Sequence, residues 1–438
     1  MIAAISSAWA LFLGMGLLMT GSGLLGTLLG VRATFEGFGT TVTGLLMSAY
    51  FLGFLAGSTL TPGLVARVGH VRVFGALASL ASSAVLIHAV QVDPVTWTAM
   101  RILFGFCYAG LYVVAESWLN EISTNRTRGQ ILSIYMIISM GGMAIGQGLL
   151  NTADPESTRL FIVISVLVSV ALVPMLLSGV STPPIRPAAG MPIRELYRIS
   201  PLGIVGMMVG VAAWASFFSM GAVYAAQIGL SVAEISAFMA AMLIGAVVLQ
   251  WPIGRLSDIF DRRTVFAITA LLVAVASGLI AFAEDGPRLW LYLAAALFGG
   301  VAVPLYSLAV AHTNDYLEPH QIVAASGTLV LMAGIGATTG PIGAALLMDW
   351  IGPDGLLLWC ALTSTGISLF ALWRMTQRAA KPLEEQGTYV GLPVRPTPQT
   401  VAWVEGTGDA AAENPLPAAE PAPSGPSAPS ADPLPGTG

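Results

Sequence analysis

Of 438 residues, 55% are hydrophobic and only 9% are charged, where soluble domains carry about 25% charged residues. A water-facing surface cannot be built from so few charges, so the solvent for most of this chain is lipid. The net charge of −5 comes with no basic patch, which excludes nucleic acid as a partner; the bilayer is the expected one.

Each crossing of a bilayer needs about 20 mostly apolar residues. That ruler predicts twelve spans: 9–31, 42–65, 72–91, 95–117, 129–151 and 160–180, then 201–227, 233–255, 264–283, 288–312, 322–348 and 355–375. The chain start lacks the basic residues of a secretion signal, and its apolar run is too long for one, so it is expected to be a retained first span. Asp93-Pro94, Asp154-Pro155, Asp285-Gly286-Pro287 and Gly352-Pro353-Asp354 punctuate the joints. Residues 181–200, with four prolines and three arginines, read as a cytoplasmic linker between an N-terminal bundle (1–180) and a C-terminal bundle (201–378). Residues 379–438 are rich in Pro and Ala and are expected to be a disordered cytoplasmic tail.

Orientation follows from the basic residues. One set of loops holds Arg67, Arg72, Arg126, Arg128, Arg186, Arg194, Arg198, Arg255, Arg262, Arg263, Arg374, Arg378, Lys381 and Arg395. The other holds Arg32, Arg159 and Arg288. Both termini are therefore expected in the cytoplasm of a bacterial cell, with the spans in the inner membrane.

The chain repeats itself. Residues 103–121 (LFGFCYAGLYVVAESWLNE) match 297–315 (LFGGVAVPLYSLAVAHTND), 194 positions on, and the same offset lays Gly142 and Gly146 on Gly336 and Gly340. Six spans separate the copies, so the repeat is parallel, about an axis along the membrane normal. Two such bundles can rock against each other about a site at their interface.

The strongest motif runs Gly254-Arg255-Leu256-Ser257-Asp258-Ile259-Phe260-Asp261-Arg262-Arg263. It resembles the loop signature of the major facilitator superfamily, G-x-L-x-D-x-x-G-R-R/K, with Asp261 in place of the second glycine. The resemblance implies an all-α integral membrane fold of two pseudo-symmetric six-helix bundles. Physically, Asp258 at a helix end and Arg262 and Arg263 in a tight loop can hold one state of a cytoplasmic gate. The first-half copy keeps Arg67, Gly69, His70 and Arg72 but has Ala66 where the carboxylate belongs, which leaves Glu116 or Glu121 as candidate partners for Arg67 or Arg72. Arg101, followed by Gly105 and Ala109-Gly110, resembles the family's fourth-helix motif, whose arginine is implicated in proton coupling or substrate binding. A charge at that depth is costly and should face the bundle interior, unless it snorkels to the outer interface.

Gly142, Gly146, Gly336, Gly340 and Pro341 follow the small-xxx-small pattern of close helix packing. Candidate pocket residues are the polar and aromatic groups inside apolar runs: Tyr108, Tyr112, Trp214, Phe217, Tyr224, Gln227 and Tyr306, each of which can equally be ordinary packing. Glu116-Ser117-Trp118-Leu119-Asn120-Glu121, Val68-Gly69-His70-Val71-Arg72 and Gln250-Trp251-Pro252 look like the YcaD-like bacterial branch of the same superfamily.

Neither the four histidines nor Cys107 and Cys360 show metal-ligand or redox spacing. Walker and dinucleotide fingerprints are absent too, so no cofactor, no metal and no enzyme activity are expected. The function expected is a secondary active transporter of a small molecule, monomeric and working by alternating access, with protons as the candidate coupling ion. A lipid or lipid-linked flippase on the same scaffold is the alternative, and a non-transporting membrane sensor ranks third.

Overall fold

The computed structural model describes residues 2–124, 127–177, 190–387 and 389–392. These form fourteen α-helices. The first bundle contains α1 (Ile2–Phe35), α2 (Thr40–Val68), α3 (His70–Val90), α4 (Pro94–Ile122), α5 (Arg128–Leu149) and α6 (Arg159–Leu177). A short α7 (Ile193–Ile199) leads into α8 (Pro201–Gln227), α9 (Val232–Ile259), α10 (Arg262–Ala283), α11 (Arg288–Ala302), α12 (Pro304–Asn314), α13 (Pro319–Ile351) and α14 (Gly355–Gln377). Twelve segments are long and apolar enough to cross a bilayer, α11 and α12 together making one.

The tenth span, expected as a single helix over 288–312, is thus two. Pro304 supplies no N–H and its ring collides with the carbonyl four residues back, so the helix breaks at Val303. Local chemistry sets the other ends. Asp93 accepts from Thr96 N–H (2.8 Å) and Pro94 opens α4. Ser231 and Glu234 cap the start of α9 reciprocally. Gly69, at φ +87°, lets the chain reverse between α2 and α3, a conformation closed to most side chains.

Burial separates the spans by role. In spans one, four, seven and ten, 72–83% of the most apolar stretch is buried, against 39–56% in the other eight. The first group therefore forms the middle of the molecule and the rest face lipid on one side. The same helix pairs pack in both halves: α2 on α4 and α9 on α11, α1 on α5 and α8 on α13, α3 on α6 and α10 on α14. Glycines set the spacing of these pairs. A Cβ on Gly105 would run into the Tyr50 carbonyl, and one on its repeat partner Gly299 into the Met242 carbonyl. Gly142 and Gly146 meet α1 backbone at Gly16 and Thr20, while Gly336 and Gly340 meet α8 backbone at Met208 and Ala212.

Even crossing puts both ends of the apolar region on one face. Arg67, Arg72, Arg194, Arg198, Arg255, Arg262, Arg263, Arg374 and Arg378 belong to it, and it is called the basic face below. Arg126, Arg186 and Arg395 lie outside the described residues.

In the described part of 181–200, expected as a linker, Met191 N–H donates to the Ala324 carbonyl (2.9 Å) and α7 follows. The tail expected to be disordered from residue 379 is packed against the second bundle as far as Leu392, which is 2% exposed; its few apolar side chains find a groove. Residues 393–438 lie outside the described residues.

Candidate functional site

The two bundles touch through α2 on α13, α5 on α9 and α1 on α8. The polar contacts in this seam lie toward the far face. Thr41 N–H and hydroxyl both donate to Asp349 Oδ2, the former at 3.1 Å. Gln227 Nε2 donates to Thr40 Oγ1 (3.2 Å), Asn151 Nδ2 to Ser236 Oγ (3.0 Å), and Ser236 Oγ to the Gln147 carbonyl (2.5 Å). Gly44 brings α2 against Ala345 and the Pro341 carbonyl. Among the described residues no comparable packing joins α4 to α12 or α13. The polar contacts that close the seam are thus gathered at the far face.

A cavity lies in this seam, lined by Phe51, Phe54, Leu55 and Ser58 from α2, Val211 and Trp214 from α8, Tyr306 from α12, and Val330, Ala333, Gly334 and Ala337 from α13. The empty space in and before it, open solvent included, is about 490 Å³. The kink before Pro304 shapes it, because Ala302, Val303 and Tyr306 form an adjoining recess with Gly210 and Trp214. Most of the wall is apolar. Trp214 Nε1 and Tyr306 Oη are buried in it without a hydrogen-bond partner among the described residues. Such orphaned groups are rare, and each asks what it bonds in function.

The expected pocket residues divide. Trp214 and Tyr306 line the cavity, and Trp214 stacks on Phe218 at 4.8 Å. Tyr112 stands behind it, 5.8 Å from the Phe54 ring, with its hydroxyl toward Met19 Sδ (2.7 Å). Tyr108 is core of the first bundle, donating to the Leu18 carbonyl (2.9 Å). Phe217 packs on Phe298 (4.1 Å) between α8 and α11. Tyr224 reaches Glu284 (3.5 Å), and Gln227 belongs to the far-face seal. Burial raises the Glu284 carboxyl above its ordinary range, and Asp354 and Asp285 add to the shift. Arg101 is 5% exposed between α2 and α4, its guanidinium 4.7 Å from the Tyr50 ring and near Met47. It faces the bundle interior rather than the outer interface and is not part of the cavity wall.

The gate loop between α9 and α10 is a charge cluster. Arg262, 1% exposed, pairs with Asp315 Oδ2 at 2.6 Å and lies 3.6 Å from Asp258. Its Nη1 also reaches the Ala311 carbonyl (3.2 Å). Burial pushes the Asp315 carboxyl above the ordinary aspartate range, against the pull of Arg262 and of Gly387 N–H. Arg263 bonds Asp261 and the Arg378 carbonyl. Gly254 has the Tyr389 ring of the tail lying against it, where a side chain would not fit. In the first half Arg67, Arg72 and Glu121 are exposed, and neither arginine makes an ion pair among the described residues. Glu116 is fully buried and accepts from Tyr135 Oη (2.8 Å).

Sequence reasoning missed Asp315 and Tyr135. The repeat had already laid Asp315 on Glu121, which was the available signal. Among the described residues no group of three His, Cys, Asp or Glu could hold a metal ion.

A twelve-span protein with a cleft in the seam between two six-helix bundles has the build of a membrane transporter. The sequence profile of the Major Facilitator Superfamily matches residues 11–199 and 202–407, and the chain belongs to that family. It is 27% identical over 373 residues to the MFS-type transporter YcaD of Escherichia fergusonii, covering 84% of this chain and 96% of that one. The YcaD of Escherichia coli strain UTI89 matches to the same extent. Among solved structures, the nucleoside transporter NupG superposes with a TM-score of 0.69 at 14% identity, over 85% of this chain and 99% of that one. The human organic anion transporter MFSD10 gives 0.60 at 17% identity, over 84% and 99%. A bacterial homologue of the human lysosomal transporter Spinster, inward-facing and occupied, gives 0.67 at 14% identity, over 86% and 97%.

Proposed function

We propose that this chain is a monomeric secondary transporter of the bacterial inner membrane, with the basic face in the cytoplasm, carrying a weakly polar, ring-containing or amphipathic small molecule by alternating access. The observation that carries the reading is the seam cavity with Trp214 Nε1 and Tyr306 Oη buried and unpartnered in an apolar wall. A sugar-like cargo would need many polar partners, whereas this wall offers two donors and aromatic faces, so an apolar body with one or two acceptors fits it. The excess of arginine on the basic face supports its cytoplasmic placement.

Proton coupling is proposed through Glu116. A carboxyl wholly buried in the basic half of α4, hydrogen-bonded to Tyr135, is costly in a membrane and suits a group that gains and loses a proton between states. The apolar wall also favours a second reading, a lipid or lipid-linked molecule as cargo.

The test is thermal-shift screening of the purified protein against metabolites, drugs and lipids at two pH values, followed by flux in proteoliposomes. A stabilising ligand that accumulates under an imposed pH gradient supports the reading. A ligand that stabilises the wild type and a Trp214→Ala variant equally removes the cavity as its site. Uptake indifferent to the gradient removes the proton.

A further inference from the structure

We propose that the basic face of the second bundle contains a peptide groove between α9 and α12, that its occupant is the chain's own segment Lys381–Leu392, and that occupancy keeps this face from closing. The closure claim rests on the alternating-access reading; the groove itself does not.

The segment is held mostly by its backbone. Lys381 Nζ donates to the Asp315 carbonyl. Gly387 N–H donates to Asp315 Oδ1 (3.0 Å), and its carbonyl accepts from Arg262 Nη2 (2.5 Å). Tyr389 N–H donates to Asp258 Oδ1 (2.7 Å). Leu392 N–H donates to Ser307 Oγ (2.9 Å), and its carbonyl accepts from Gln250 Nε2 (3.2 Å). Ser307 and Gln250 are 1% and 6% exposed. They sit seven residues before the end of α12 and nine before the end of α9, roughly 10 and 13 Å inside the helix ends at 1.5 Å per residue. Polar groups so deep are costly unless bonded, and both of these bond Leu392. The groove reads an extended backbone and takes Tyr389 against Gly254, where no side chain competes.

The position of the groove decides its effect. Eighteen residues, or five helical turns, separate Ser236 from Gly254 on α9, so the two lie on one face, with Gln250 and Asp258 about 40° to either side. At the far end of α9, Ser236 meets α5 through the Gln147 carbonyl and Asn151. At the basic end the same strip meets the tail segment. When the bundles rock so that the basic face closes, α5 must come onto this strip. The segment occupies it and must leave first. Its tether of three residues, 378–380, to α14 keeps the effective concentration high, and because it binds one state better than the other it biases the equilibrium toward that state.

The experiment pairs Gln250→Cys with Gly391→Cys, because a Cβ on Gly391 would lie 3.6 Å from Gln250 Cγ. Mild oxidation in membranes is expected to join them, read by mass spectrometry of the linked peptides. A third change, Ala345→Cys, places a reporter at a fully buried point of the far-face seam, labelled by an impermeant maleimide only when that seam opens. With the segment locked in place, labelling should fall. With the chain truncated after Ala380, or with Tyr389→Ala in the full chain, it should rise roughly fivefold or more, since several hydrogen bonds are lost or loosened. Failure of the pair to cross-link overturns the groove. Cross-linking with equal labelling in the locked and released forms overturns the closure claim. A cross-link with no labelling in any variant leaves the groove standing and overturns alternating access.

Discussion

Tyr306→Phe separates a ligand-facing hydroxyl from a structural one by sign. Tyr306 is 8% exposed and its Oη has no partner among the described residues. A buried polar group without a partner costs about 1–3 kcal/mol. Because the cavity is partly open, water can meet part of that cost, so about 1 kcal/mol is the expected size. Phenylalanine keeps the ring and removes the orphan, so the empty variant should melt above the wild type. With a ligand found by screening, the same variant lacks one hydrogen bond worth about 1 kcal/mol, or roughly a fivefold weaker Kd. A thiol-reactive dye reads both, because Cys107 and Cys360 are buried and react only on unfolding. An empty variant that melts below the wild type, with ligand affinity unchanged, would show that the hydroxyl serves the fold and would refute the reasoning.

Four further outcomes are expected. Asp315→Asn leaves Arg262 buried without its closest carboxylate and should cost toward the low end of the ~3–5 kcal/mol range for breaking a buried pair, since Asp258 and two carbonyls remain; Asp261→Asn, in a more exposed pair, should cost under about 1 kcal/mol by the same melt. Gly142→Leu forces α5 off α1 and should destabilise by roughly 1–3 kcal/mol or more, whereas Gly148→Leu, with open space around it, should be near neutral. Asp93 has its carboxyl held below the ordinary range by Thr96 N–H, so its contribution is complete above the unfolded aspartate value and fades as pH falls through the folded one; the melting gap between wild type and Asp93→Ala should be constant at neutral pH and narrow in acid. Glu116→Gln should keep ligand-induced stabilisation while abolishing accumulation driven by a pH gradient in proteoliposomes.

How much of this was legible depended on range. The spans were readable because lipid imposes its demand locally, some twenty apolar residues at a time. The repeat then exposed the two halves, and it even matched Gly105 to Gly299, the pair that brings α2 to α4 and α9 to α11. The break in the tenth span was also written in the chain, at Pro304, but an apolar count does not register it. What stayed hidden was tertiary. Nothing near Thr41 announces Asp349, and nothing near Ser236 announces Gln147. Of the expected pocket residues, Trp214 and Tyr306 reach the cavity while Phe217 and Tyr108 do not, because polar or aromatic character inside an apolar run does not say which way a helix is turned. The tail misled for a different reason. Composition averaged over sixty residues is dominated by Pro and Ala at the far end, while Tyr389, Val390 and Leu392 near its start were the clue to a packed segment.

The two loop motifs then explain why only one half carries such a segment. The first half has Ala66 where the second has Asp258, and its Arg67 and Arg72 stand exposed without ion pairs among the described residues. An extended backbone needs acceptors for its N–H groups, and Asp258 and Asp315 supply them on α9 and beyond α12. On the first-half loop Ala66 offers no side-chain acceptor, so a peptide laid there would leave that N–H to water or unpaired. The asymmetry visible in the sequence as a lost carboxylate is therefore the same asymmetry that places the tail on the second bundle. Its sharpest consequence is that Ala66→Asp alone should not recruit the segment, since the partner of Asp315 in the repeat, Glu121, is exposed and among the described residues makes no ion pair of the Arg262–Asp315 kind. Cross-linking yield between Gln250→Cys and Gly391→Cys should be the same with and without Ala66→Asp, and a marked fall in yield on adding that carboxylate would show the segment to be choosing charge rather than the whole groove.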